Sequence, residues 1–92
     1  MYLPEFTNTL SEIIEGLFKH NYSRYEKIKK KMDQILLYPQ HYKPLSYDLK
    51  GLRHVHIDVQ FVLVFKIIEE NKIVKFIDFD HHDKIYKKRF LE

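Results

Sequence analysis

The chain has 92 residues, of which 45% are hydrophobic and 15% aromatic. That is enough apolar material for the core of one domain spanning 1–92, which argues against a disordered chain. There are no cysteines, so a disulfide framework, a thiolate zinc site and a cysteine nucleophile are excluded. Lysine and arginine number 16 against 13 acidic residues, a formal charge of +3, which permits a polyanionic partner without demanding one. No apolar run approaches the roughly 20 residues of a transmembrane helix. The segment MYLPEFTNTL lacks the basic-then-apolar build of a signal peptide. The expectation is a cytoplasmic protein with no membrane partner.

Tyr2–Phe6 reads as an edge strand, because Pro4 lacks an N–H for a central ladder. Thr9-Leu10-Ser11-Glu12 has the form of a capping box. Leu10, Ile13, Ile14, Leu17 and Phe18 follow at helical spacing and form one apolar face. A second capping box, Ser23-Arg24-Tyr25-Glu26, opens a helix whose apolar positions are Tyr25, Ile28, Met32, Ile35 and Leu36. The short link at Asn21-Tyr22 predicts an antiparallel helical hairpin. Lys27, Lys29, Lys30 and Lys31 decorate the second helix, and such a run is usually a solvated face. Tyr38-Pro39 stops that helix.

After a polar, irregular stretch from Gln40 to Leu49, three strands are predicted at Arg53–Ile57, Phe61–Ile68 and Ile73–Phe79. Turns fall near Asp58–Gln60 and Glu69–Lys72. The fold class is α+β, with an N-terminal edge strand and an antiparallel helical hairpin packed on a small antiparallel sheet. The element order is β-α-α-β-β-β. Asp80–Glu92 is a polar, basic tail with Ile85, Tyr86 and Phe90 as anchors.

Three patterns compete for chemistry. His54-Val55-His56-Ile57-Asp58 matches the HxHxD core of some metallohydrolases, since residues two apart on a strand share a face. The only further ligand supply is Asp80-His81-His82-Asp83, which also resembles a DHH phosphoesterase signature, and both enzyme types are far longer. The third pattern is metal-free acid–base chemistry on RNA. It needs a base for the 2′-OH, an acid for the leaving oxygen and cations for the developing charge. His56 and His82 could move protons, and Lys43, Lys50, Arg53 and Tyr86 flank them. The bland alternative makes His56 a solvated sheet residue and has His81 and His82 cap a strand end. His81 and His82 are adjacent, so in an extended segment they point opposite ways.

The residues Lys43-Pro44-Leu45, Leu49 to Asp58, Phe61 to Lys66 and Phe79 to Tyr86 together resemble the RelE/ParE toxin superfamily, nearest its YafQ-like RelE branch. The resemblance implies a RelE-like fold and the toxin half of a type II toxin–antitoxin pair. It implies an mRNA interferase, an endoribonuclease that cuts A-site message on the ribosome without metal or other cofactor and so inhibits translation. The products carry a 2′,3′-cyclic phosphate and a 5′-hydroxyl. Implied partners are a cognate antitoxin, the ribosome and mRNA, with operator DNA reached only through the antitoxin complex.

By the same resemblance, His56, His82 and Tyr86 fall on catalytic positions. Lys43, Lys50, Arg53 and His54 would hold RNA or phosphate, and Phe61 would stack. Lys43 stands where the branch has another histidine, and Gln60 and Phe61 stand where it has an aspartate and a tryptophan. RelE itself has two lysines at the positions of His54 and His56, and an arginine at Val62. Ribosome attachment would use Lys27, Lys29, Lys30, Lys31, Lys50, Lys87, Lys88 and Arg89. Two other readings stay open: a non-catalytic RelE-fold binding or repressor module, and a ParE-type gyrase inhibitor.

Overall fold

The computed structural model describes residues 1–45 and 51–88. Lys50, Arg89 and Phe90 lie outside the described residues. Strand β1 (Leu3–Phe6) leads into helices α1 (Asn8–His20) and α2 (Tyr22–Leu37). Strands β2 (Leu52–Ile57), β3 (Phe61–Ile68) and β4 (Ile73–His81) follow, and then a short helix, α3 (His82–Ile85). The sheet order is β1-β4-β3-β2; β2, β3 and β4 form an antiparallel meander, and β1 runs parallel to β4. The fold is α+β, with the expected order of strands and helices. Among the described residues no helix is long and apolar enough to cross a membrane.

Both predicted capping boxes are displaced toward the N-terminus. Thr7, not Thr9, caps α1: its backbone is still extended (φ −70°, ψ 158°) as the chain leaves β1, and its Oγ1 accepts the Leu10 N–H at 3.1 Å. Asn21, not Ser23, caps α2, with its Oδ1 accepting from Arg24 N–H at 3.3 Å. In each case the cap is the last non-helical residue, whereas Thr9 and Ser23 are already inside their helices. At the edge, Leu3 N–H and Thr7 N–H donate inward to Lys72 O and Phe76 O. Alternation therefore turns Pro4 outward, where its missing N–H blunts the exposed edge.

The sheet buries side chains on both faces. On the hairpin side, Leu10, Ile28, Ile35, Leu63, Phe65 and Phe76 are fully buried in the larger core. Each large side chain so buried contributes about 1.5–3 kcal/mol. On the other side Leu45, Leu52, Val62, Val64, Ile77 and Ile85 form a smaller core beneath α3.

One irregularity decides which residues reach that second face. Val64 pairs with Asp78, but Phe65 pairs with Phe76, so Ile77 is an extra residue on β4. Strict alternation from Phe76 would aim Asp78 and Asp80 at the helices. The bulge shifts the phase, so that Phe79 joins the hairpin core while Ile77 joins the smaller one. Thr7 holds this bulge: its hydroxyl donates to Ile77 O at 2.6 Å while its N–H donates to Phe76 O at 3.1 Å. Strand β4 also runs two residues past the predicted end, to His81, so His82 opens a helix rather than continuing an extended tail.

Thr7 thus serves as both helix cap and bulge anchor. Thr7→Val should cost about 1–3 kcal/mol in urea unfolding, whereas Thr9→Val and Ser23→Ala should stay within about 0.5 kcal/mol. Equal losses at Thr7 and Thr9 would contradict the cap assignment.

Candidate active site

Alternation along β2 puts Leu52, His54 and His56 on the face away from the hairpin and Arg53, Val55 and Ile57 on the other. The His54 and His56 rings stand 5.7 Å apart, centroid to centroid. Helix α3 brings the second pair. His82 and Tyr86 are four residues apart and stack on one helical face, with centroids 4.8 Å apart. His82 then lies 5.8 Å from His56, and Tyr86 lies 6.3 Å from His54. Four rings from two distant stretches of chain thereby close into a quadrilateral.

Three contacts hold α3 in place. His82 N–H donates to Gln60 O at 2.6 Å. His81 Nδ1 accepts from Asp83 N–H at 3.3 Å and caps the turn. Ile85 is buried to 1% exposure in the smaller core. The Asp83 carboxylate sits 3.2 Å from His82 Nδ1. A proton on Nδ1 donated to that carboxylate leaves Nε2 as the nitrogen that can exchange a proton with substrate.

The remaining residues singled out from the sequence divide by face. Lys43 runs beside β2, its carbonyl accepting from His54 N–H at 3.0 Å. Arg53 is on the hairpin side, where Nη1 donates to Tyr42 O at 2.6 Å; the structure does not bring it to the ring cluster. Phe61 is also on the hairpin side, stacked on Phe79 and covered by the Arg24 guanidinium 4.1 Å above its ring. His81 packs edge-on against Phe61 at 5.7 Å, so His81 and His82 do face opposite ways, because a strand end meets a helix start between them. Asp58 completes no metal triad with His54 and His56, because it turns to Lys27 at 2.7 Å and Arg24 at 3.5 Å. Among the described residues no three His, Asp or Glu side chains are grouped to hold a metal.

The lysine run is solvated, and Lys27, Lys30 and Lys31 line an open trough of about 350 Å³ with Gln34, His56, Ile57 and Asp58, the last paired with Lys27 at 2.7 Å. Lys29 points elsewhere, 3.5 Å from Asp33. The helical spacing of 27, 30 and 31 is the signal in the sequence; what they face was not visible there. Asp83 was considered only within a metal motif, and its place beside His82 depends on the short helix.

His54 sits at the inner corner of the cluster. Burial, and then the neighbouring His56, push its pKa below the ordinary imidazole value of 6.5, with the Lys43 and Pro44 backbone opposing in part. Its Nδ1 is buried with no aligned hydrogen-bond partner. His54 is therefore neutral at physiological pH.

The profile of the family described as "ParE toxin of type II toxin-antitoxin system, parDE" matches residues 2–86. A Methanocaldococcus jannaschii protein named "Putative toxin RelE4" is 47% identical over 91 residues, covering 99% of this chain and 97% of that one. Among solved structures, a YoeB/ParE toxin from Agrobacterium tumefaciens superposes with a TM-score of 0.77 at 17% identity, covering 87% of this chain and 98% of that one. The E. coli RelBE toxin–antitoxin complex gives 0.69 at 22% identity, with 88% and 96% covered. The chain belongs to the ParE toxin family of type II toxin–antitoxin systems.

Because folded His54 takes a proton less readily than unfolded His54, the unfolded chain binds more protons as pH falls through about 6.5, and stability drops there. NMR titration should place the His54 midpoint below 6.5. His54→Phe should flatten part of the acid-side loss of stability. A midpoint above the ordinary value would contradict the burial assignment.

Proposed function

We propose that this toxin is a ribosome-dependent mRNA endoribonuclease of the YafQ-like kind, held inactive by a cognate antitoxin. The observation that carries the reading is the closed cluster of His54, His56, His82 and Tyr86 at one end of a cationic trough. A gyrase-binding surface or a repressor module gives no reason to assemble three imidazoles and a phenol at these distances. The antitoxin partner is supported by family membership and by the likeness to a toxin solved with its antitoxin.

In this mechanism one of His56 and His82 removes the proton from the 2′-OH, and the 2′-oxygen attacks the adjacent phosphorus. The other gives a proton to the departing 5′-oxygen, leaving a 2′,3′-cyclic phosphate and a 5′-hydroxyl. The two rings, 5.8 Å apart, are close enough to act on opposite sides of one phosphate. Asp83, 3.2 Å from His82 Nδ1, orients the His82 ring. Tyr86 offers a phenolic O–H to a phosphate oxygen or to the relay. Neutral His54 packs behind them as a hydrogen-bonding wall rather than as the charged acid. Lys43 lies next to the cluster, while Lys30 and Lys31 neutralise flanking phosphates and Lys27 joins them where phosphate displaces Asp58. Among the described residues neither Lys30 nor Lys31 is ion-paired, so their charge is available to a polyanion.

Primer extension on message bound to ribosomes tests this directly. Wild-type protein should cut at the A-site codon with or without EDTA. His82→Ala and His56→Ala should each lose about 10²–10⁴-fold, the usual size of a general acid–base contribution, while His81→Ala stays close to wild type. Equal losses at His81 and His82 would remove the assignment, and cutting abolished by EDTA would restore the metal reading. If folded wild-type protein cuts nothing but inhibits gyrase, the ParE-type activity replaces this one.

The trough has its own test. Replacing Lys27, Lys30 and Lys31 with Gln should weaken RNA binding and lower the steepness of its salt dependence by about 2–3 counterions. An unchanged salt slope would show that these lysines do not meet phosphate.

A further inference from the structure

One buried ionic group has no part in the cleavage chemistry. Asp78 is 5% exposed on β4. Its Oδ1 accepts from Phe79 N–H at 2.8 Å, and its Oδ2 lies 2.7 Å from Lys88 Nζ. The same Lys88 nitrogen lies 2.8 Å from Asp80 Oδ2, whose other oxygen accepts from His81 N–H at 2.7 Å. A carboxylate this buried persists in its charged form only with a cation and hydrogen bonds around it. Burial raises the Asp80 carboxyl and lowers the Lys88 ammonium, but Lys88 and the His81 N–H leave Asp80 below its usual value, and Asp78 with Asp80 leaves Lys88 above its own.

We propose that Lys88 is a clasp that positions His82 and Tyr86, bridging Asp78 and Asp80 so that the turn after α3 is held down on the sheet. Helix α3 is a single turn, far too short to be stable by itself. Its start is fixed by β4 and Gln60 O, and its last residue, Ile85, by burial in the smaller core. After Ile85 the backbone bonds are local: Tyr86 N–H to His82 O, Lys87 N–H to Lys84 O and Lys88 N–H to Ile85 O. The Lys88 side chain returns this final turn to the sheet. Tyr86 lies between the two attachments and is 43% exposed, so its place beside His54 and His82 depends on both. Asp78 and Asp80 share a face by strand alternation, and the β4 bulge before them turns that face toward α3 and Lys88.

The consequence for catalysis rests on the proposed nuclease reading, but the consequence for ring placement does not. The test uses the full chain as wild type, Lys88→Met, Lys88→Arg and the double variant Lys88→Met/Asp78→Asn. Ring-to-ring NOEs between His56 and His82 and between His82 and Tyr86 report placement. Single-turnover cutting on ribosomes reports rate, separately from the ribosome concentration at half-saturation. Lys88→Met should keep amide protection in β3 and β4, lose both NOEs, and slow single-turnover cutting at saturating ribosomes by about tenfold or more. Lys88→Arg should restore both. If Lys88→Met unfolds because Asp78 is left unpaired, the double variant decides: it should be folded and still lack the NOEs. Intact NOEs and full rate in either folded variant lacking the lysine would overturn the clasp. If wild-type protein cuts no message, the nuclease reading fails, and the NOEs alone still confirm or overturn the clasp.

Discussion

Thr7 makes the pair of hydrogen bonds on which the rest of the molecule depends. Its N–H and hydroxyl reach consecutive carbonyls, Phe76 O and Ile77 O, at the point where β4 carries one residue more than β3. A side chain that caps a helix while anchoring a bulge ties the start of the hairpin to the phase of the central strand. Because side chains in a strand alternate with period two, one extra residue exchanges the faces of everything downstream. Phe79 then closes the hairpin core, and Asp78 and Asp80 emerge on the opposite face, where they would otherwise be charges driven into hydrocarbon.

That exchange separates two tasks by face. The hairpin side carries most of the burial, including Phe65 and Phe76 with their rings 6.2 Å apart, and it absorbs Arg53, Phe61 and His81 into packing. Among the described residues the far side has a core of six buried apolar side chains, which seats α3 and leaves the histidines at its rim partly exposed. Partial cover produces two kinds of imidazole from one residue type. His54 is buried enough to stay neutral, while His56 at the open end of β2 borders the lysine trough. Low dielectric on one side and water on the other is the environment in which acid–base groups can be differentiated without a cofactor.

The likeness to solved RelE- and ParE-type toxins, at 17–22% identity and TM-scores of 0.69–0.77, lies in the scaffold. On that scaffold this chain places a histidine pair on β2, a His82–Asp83 contact and a lysine carrying two aspartates. A scaffold shared by toxins with different targets constrains chemistry weakly. The local set of titratable groups is therefore the better guide to what this chain does.

Much of this was legible in the linear chain. The 3.6-residue spacing of Leu10 to Leu17 and Ile28 to Leu36, the Val/Ile/Phe runs and Pro4 specified the helices, strands and edge, because those signals are local and report which face must be buried. The same-face placement of His54 and His56 followed from strand periodicity, and the pairing of His82 with Tyr86 needed only four-residue spacing once a helix was present. The helix caps were misplaced by two residues because Thr7 and Thr9, like Asn21 and Ser23, are equally good caps by composition; the chain's exit from β1 selects between the members of the first pair. Adjacent apolar Phe76 and Ile77 before Asp78-Phe79-Asp80 was the one trace of the bulge. Which face Arg53, Phe61 and the lysine run would meet was decided by register and by the packing of α2 against β2, both set by contacts across long stretches of chain. By itself, then, the sequence determined the elements, their order and the residue types available for chemistry. Only tertiary structure decided which of those residues meet, because a single inserted residue in β4, recognised from Thr7 some seventy positions earlier, chooses the face on which they emerge.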